Sequence, residues 1–171
     1  KLLAGRVSEI RPCMSCNQGC VGSVFRGMPG TCVLNPRAGR EIEGPAIASA
    51  TRKLRVAVIG GGPAGLESAR LAAEAGHQVT LHEAEAELGG QWRLAALAPG
   101  REELALSIDW WRSELQRLGV DVHLASRIAA SAIPAADRVI WAVGARPAQT
   151  AVWRLRPWLF DGLPGARIAV H

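Results

Sequence analysis

The sequence predicts an α/β protein: a Rossmann-like, doubly wound parallel sheet, present in part, preceded by a loop-rich segment that carries thiols. Three observations predict it. A G-x-G-x-x-G turn stands between a β-branched run and a helical pattern, with an acid at a fixed distance beyond. Strand-like and helix-like stretches then alternate along the chain. All 4 cysteines fall in the first 32 residues, in a glycine-bearing, loop-like stretch.

Length and composition set the limits. A chain of 171 residues holds one domain with an appendage, or two small ones. At 49% hydrophobic residues it supports a real core, and no stretch has the composition of a disordered tail. No apolar run approaches the length of a membrane span, and the first twenty residues lack a signal layout. These features point away from a membrane and toward the cytoplasm. The chain starts at Lys1 rather than methionine and reads as a piece of something longer. Its formal charge of +5 rests on 18 arginines and two lysines spread along the whole length. The densest group, residues 51–55, only introduces an apolar strand, there is no tyrosine, and the 6 tryptophans are scattered. That pattern describes a solvated basic surface, not a nucleic-acid binder.

The first element, residues 1–50, is a thiol segment with its connector. Its spacing is Cys13-x2-Cys16-x3-Cys20-x11-Cys32. Disulfides suit small secreted domains without a core, which this is not. Structural zinc commonly takes two separated pairs of ligands. A tight clip with a remote fourth thiol suits a cuboidal iron–sulfur cluster, and Gly19 and Gly22 let the backbone bend around it. The spacing is not that of the bacterial ferredoxin run, so on spacing alone zinc stays open beside iron–sulfur. Residues 34–50, with Pro36, Gly39, Gly44 and Pro45, read as an extended connector.

The second element, residues 51–150, is the sheet. Residues 55–59 (RVAVI) form a buried parallel strand that runs into Gly60-Gly61-Gly62-Pro63-Ala64-Gly65. A helix follows to about Ala75, with Leu66, Ala69, Leu71 and Ala72 facing inward and Gly76 as its stop. A second strand over 78–82 ends at Glu83. In this setting Gly60 makes the tight turn, Gly62 admits a pyrophosphate to the backbone and Gly65 lets the helix pack on the strand. The helix N-terminus offers free N–H groups and a positive dipole end to the phosphates. Glu83 is placed to accept hydrogen bonds from an adenosine ribose. A 2′-phosphate about 4 Å from its carboxylate would meet a repulsion of about 4 kcal/mol at partial burial, so the site prefers FAD, NAD or ADP over NADP.

The 101–118 pattern predicts a second helix, with Leu104, Ile108, Trp111, Leu115 and Leu118 on its core face and Gly119 ending it. Third and fourth strands are expected over 120–124 and 138–143. Residues 151–171 read as a linker into a further domain, with 167–171 opening another strand.

Taken together, "IRPCMSCNQGC", "CVLNPRAGRE", "VAVIGGGPAGLESAR", "LGGQWRLAALAPGREE" and "VIWAVGARP" resemble the iron–sulfur flavoproteins among the NADH:flavin oxidoreductases. These are of the 2,4-dienoyl-CoA reductase, trimethylamine dehydrogenase and histamine dehydrogenase type, and the chain matches a C-terminal fragment of them. The x3 spacing is similar to the dienoyl-CoA reductase pattern. The resemblance implies a [4Fe-4S] cluster on Cys13, Cys16, Cys20 and Cys32, and FAD or ADP in the glycine-turn site. It further implies nucleotide contacts from Gly60, Gly62, Pro63, Ala64, Gly65, Glu83, Gly90, Gln91, Arg101, Ile128 and Gly144. No catalytic residue is expected here. The missing partners would be an FMN-bearing TIM barrel, as domain or subunit, and an NAD(P)H-binding pyridine-nucleotide domain.

Three functions follow as expectations. The first is the electron-transfer part of an NAD(P)H-dependent flavin oxidoreductase, with the cluster relaying electrons to FMN. The second is the matching part of an amine dehydrogenase with ADP in the nucleotide site. The third is a zinc- and nucleotide-binding module without redox function.

Overall fold

A computed structural model describes residues 1–43 and 47–145. Gly44 and Pro45 of the connector, the end of the "VIWAVGARP" stretch and all of 151–171, with its expected strand, lie outside the described residues.

After short 3₁₀ turns at Leu2–Ala4 and Val7–Glu9, the thiol segment contains one short helix, α1, Val21–Val24. The sheet begins with β1, Arg55–Ile59, and the helix α2, Pro63–Glu74, follows. Next come β2, Gln78–His82, the short α3, Gln91–Ala96, and α4, Glu103–Arg117. The last strands are β3, Asp121–His123, and β4, Arg138–Trp141. All pairings are parallel and the order is β3-β2-β1-β4, with Ile59 in register with both His82 and Trp141. The order reverses between β1 and β4, the switch point where open α/β sheets bind ligands.

The core lies between the sheet and the helices α2 and α4. Val56, Val58, Val79 and Leu81 meet Leu66, Ala69, Ile108, Trp111 and Leu115 there. Both glycine stops adopt left-handed backbone, Gly76 at φ 97° and Gly119 at φ 68°. Each is closed by paired bonds to the preceding turn, from Gly76 N–H to the Ala73 carbonyl and from His77 N–H to that of Ala72. The helix expected over 101–118 is shorter by two residues at its start and one at its end, and the third and fourth strands stop early. Leu71 is only half-buried, whereas Arg70, charged and unforeseen, is 7% exposed. Among the described residues no helix is long and apolar enough to cross a membrane.

Candidate nucleotide cleft and thiol segment

A cleft of about 1170 Å³ opens at the C-terminal ends of β1, β2 and β4. Of the residues expected to contact a nucleotide, Gly60, Gly62, Pro63, Ala64, Glu83, Gly90, Gln91, Ile128 and Gly144 line it. Gly65 and Arg101 do not.

Each glycine of the turn is held by a different constraint. At Gly60 the backbone is left-handed, φ 109°, and a Cβ would stand 2.3 Å from the Ala142 carbonyl oxygen. A Cβ on Gly65 would lie 1.8 Å from the Gly60 carbonyl oxygen, so its absence lets α2 close onto β1. Gly62 differs: no described residue lies within 4 Å of a Cβ there, so the missing side chain leaves open cleft. Pro63 occupies the first helical position and α2 carries no side-chain cap. Its first N–H groups are therefore left for a ligand.

Glu83 is 7% exposed, and both its oxygens are engaged. Oε2 accepts the Gly61 N–H at 2.6 Å and Oε1 accepts the Glu85 N–H at 2.8 Å. It thus pins the glycine turn to the end of β2, with acceptor lone pairs left over for a ribose. A Cβ on Gly61 would come within 2.7 Å of Leu88 and 2.9 Å of Glu83 Oε2. Gly61 is the variable position of the motif, so nothing in the spacing marked it.

Behind Glu83, the His82 and His123 rings stack with centroids 4.7 Å apart, and His82 Nδ1 lies 3.0 Å from Ser126 Oγ. Burial, then the neighbouring His123, holds His82 below its ordinary value. The opposite wall is α3, which the sequence reading missed. Gly89 N–H donates to the Gly61 carbonyl at 2.8 Å and docks this wall on the glycine turn. Gln91 Nε2 donates to the Ala145 carbonyl and so joins the wall to the loop after β4. Trp92 stands edge-on to Trp111, with centroids 6.5 Å apart.

In the thiol segment all four cysteines are free, Cys13 and Cys20 exposed, Cys16 and Cys32 half-buried. Ser15 and Asn17 are left-handed, both at φ 54°. Ser15 N–H donates to Cys13 Sγ at 3.3 Å. Thr31 N–H and Oγ1 both donate to the Gly19 carbonyl, at 2.8 and 3.2 Å, which brings the Cys32 strand of the loop beside the Cys13–Cys20 clip. Four soft thiolate donors, on a loop whose backbone already donates to one sulfur, fit an iron–sulfur cluster. Among the described residues no three His, Cys, Asp or Glu side chains converge on a point suited to a metal ion.

The fold and cleft define a Rossmann-like dinucleotide-binding protein. The NAD(P)-binding Rossmann-like domain family matches residues 58–122. The NADH oxidase of Thermoanaerobacter brockii is 44% identical over 150 residues, 86% of this chain and 23% of its own length. Among solved structures, 2-naphthoyl-CoA reductase in complex with 2-naphthoyl-CoA aligns with a TM-score of 0.80 at 36% identity, covering 89% of this chain and 24% of that one. Histamine dehydrogenase from Rhizobium sp. 4-9 aligns with a TM-score of 0.77 at 29% identity, over 85% of this chain and 22% of that one. The chain belongs to the NADH:flavin oxidoreductase family, whose members here are oxidoreductases. It spans less than a quarter of the length of these three.

Proposed function

We propose that this chain is the electron-transfer part of an NAD(P)H-dependent flavin oxidoreductase. It binds FAD in the cleft and a [4Fe-4S] cluster on Cys13, Cys16, Cys20 and Cys32. The observation that supports the reading is that one helix, α2, borders the cleft and also contacts the base of the thiol loop. The N-terminus of α2 opens on the cleft, while Glu67 in its middle bonds to Arg11, two residues before Cys13. A bound flavin supplies hydride acceptance and its division into single electrons, and an iron–sulfur cluster supplies their onward relay.

The chain's own residues supply position. The uncapped start of α2 binds the pyrophosphate, Gly62 leaves room for it, and Glu83 orients the ribose while repelling a 2′-phosphate. The thiol loop would hold the cluster through Cys13, Cys16, Cys20 and Cys32, with the Ser15 N–H already donating to the Cys13 sulfur. The partner receiving electrons is an FMN-bearing barrel, and the hydride source a pyridine-nucleotide domain, on the same or another chain.

The similarity to histamine dehydrogenase supports a second reading, in which ADP fills the cleft of an amine dehydrogenase part. One experiment separates them. Anaerobically purified protein is assayed for iron and acid-labile sulfide, and its nucleotide is released by heat and identified. About four irons per chain with FAD supports the first reading. The same iron with ADP alone supports the second. Zinc in place of iron and sulfide overturns both.

A further inference from the structure

Arg11 lies two residues before the first cysteine, and its reach is unusual. One guanidinium nitrogen donates to the carbonyl of Leu34, two residues after the last cysteine. Another donates to both carboxylate oxygens of Glu67, at 3.0 and 3.3 Å. The same group lies 4.2 Å from the centre of the Trp110 ring on α4. Its side chain is 12% exposed. Glu67 is itself braced, by Arg70 at 2.9 and 3.1 Å and by Trp111 Nε1 at 2.7 Å. Leu34 is 6% exposed and belongs to the main core.

We propose that Arg11 is the positioning residue of the cluster: a clasp that joins the two ends of the Cys13–Cys32 loop to each other and fastens both to α2. Arg11 touches no thiol in this role; it acts through the loop ends that carry Cys13 and Cys32. The Gly19–Thr31 bonds tie the same loop halfway along, one residue before Cys20 and one before Cys32. With the loop closed at its base and tied again between Gly19 and Thr31, the range open to its four thiols is narrowed before any iron arrives. Binding iron then has to draw them together from a loop in which no three of them converge. A planar fork suits the task, because it donates in two fixed directions at once while its face rests on an indole. Lysine has one ammonium, which reaches the Leu34 carbonyl or the Glu67 carboxylate but not both in that geometry.

The inference rests on the cluster reading above, and the test keeps the two apart. The whole chain and its Arg11→Gln and Arg11→Lys variants are loaded anaerobically with ferrous iron and sulfide. Bound iron, bound sulfide and the rate of iron removal by a chelator are measured, with ADP affinity as the control on the nucleotide unit. Arg11→Gln is expected to release iron at least about tenfold faster than the unaltered chain, the range known for outer partners of metal ligands. ADP affinity should stay within about twofold, and Arg11→Lys should fall between the other two. Should Arg11→Gln not fold, faster iron release from Arg11→Lys supports the clasp and an unchanged rate overturns it. Equal rates in all three proteins, or iron and ADP affinity falling together, overturn the clasp while leaving the cluster reading standing. An unaltered chain that takes up no iron and sulfide overturns both.

Discussion

Gly60, Gly61 and Gly62, between β1 and α2, and Gly65, in the first turn of α2, lack a side chain under three different constraints. Gly60 and Gly65 are fixed by contact with the protein's own backbone, Gly61 by Leu88 and Glu83, and Gly62 by nothing among the described residues. An unfilled position beside an uncapped helix start is where a ligand's phosphate can come closest to the backbone. Substitution should separate these roles. Gly65→Ala forces α2 off β1 and is expected to cost about 3 kcal/mol of stability or to prevent folding. Gly62→Ala has φ −75° and free space, so its stability cost should be no more than about 1 kcal/mol, that of a poorer helix cap. Its methyl group enters the cleft, and affinity for ADP should fall about tenfold. Denaturant titration and calorimetry check both halves. A Gly62→Ala protein binding ADP as the parent does would remove the pyrophosphate from this position.

At the scale of elements, α2 and α4 are joined through buried ionic groups as well as through apolar contacts. Burial alone would raise the Glu67 carboxyl, but hydrogen bonds from Arg70 and Trp111, with the charges of Arg70 and Arg11, hold it below its ordinary 4.5. Glu114, on α4, is held low chiefly by its hydrogen bond from Arg117. A carboxyl lowered in the fold adds stability above its unfolded value and loses that contribution as pH falls through the folded one. Urea midpoints should therefore hold from neutral pH to near 4.5 on account of these two groups, then fall. Glu67→Gln should flatten that fall, and an unchanged acid slope would contradict it. The β1–α2 turn and both glycine stops were legible because their causes are local: spacing, missing side chains and chain-neighbour bonds. Helix α3 was not, since it buries no residue of its own and is placed by docking through Gly89 on Gly61 and by Trp92 on Trp111. Arg70 and Arg11 were illegible for the same reason. Each pairs with Glu67 and lies near Trp110. Arg70 also pairs with Glu74 on its own helix, but its burial beside Trp110 is tertiary, and no window of sequence brings Arg11 to Glu67 or Trp110. The cleft's floor could be read from the motif, while its far wall and the base of the thiol loop depend on tertiary contacts.

For the molecule as a whole, the question is whether the thiol segment is an appendage or part of the folding unit. Leu34 sits in the main core, and Met14 and Cys32 pack against it. Trp110, 6% exposed, donates from Nε1 to the Glu9 carbonyl at 3.3 Å and receives Arg11 on its ring. Removing the segment would uncover that indole and leave the Glu67 carboxylate with one cation fewer. The two regions are therefore expected to unfold together in one transition. The summed fluorescence of the 6 tryptophans, Trp110 and Trp111 of α4 among them, reports on the sheet unit, and alkylation of half-buried Cys32 reports on the thiol segment. In iron-free protein the two probes should give the same urea midpoint. Leu34→Ala, which empties a core site from the segment's side, should lower both midpoints by the same amount, that of a stability loss of about 2–5 kcal/mol. Cys32 becoming fully reactive at urea concentrations that leave the tryptophan signal native would make the segment an independent unit. In that event the α2 contacts could not hold its thiols in place, and the clasp at Arg11 would have nothing rigid to fasten to.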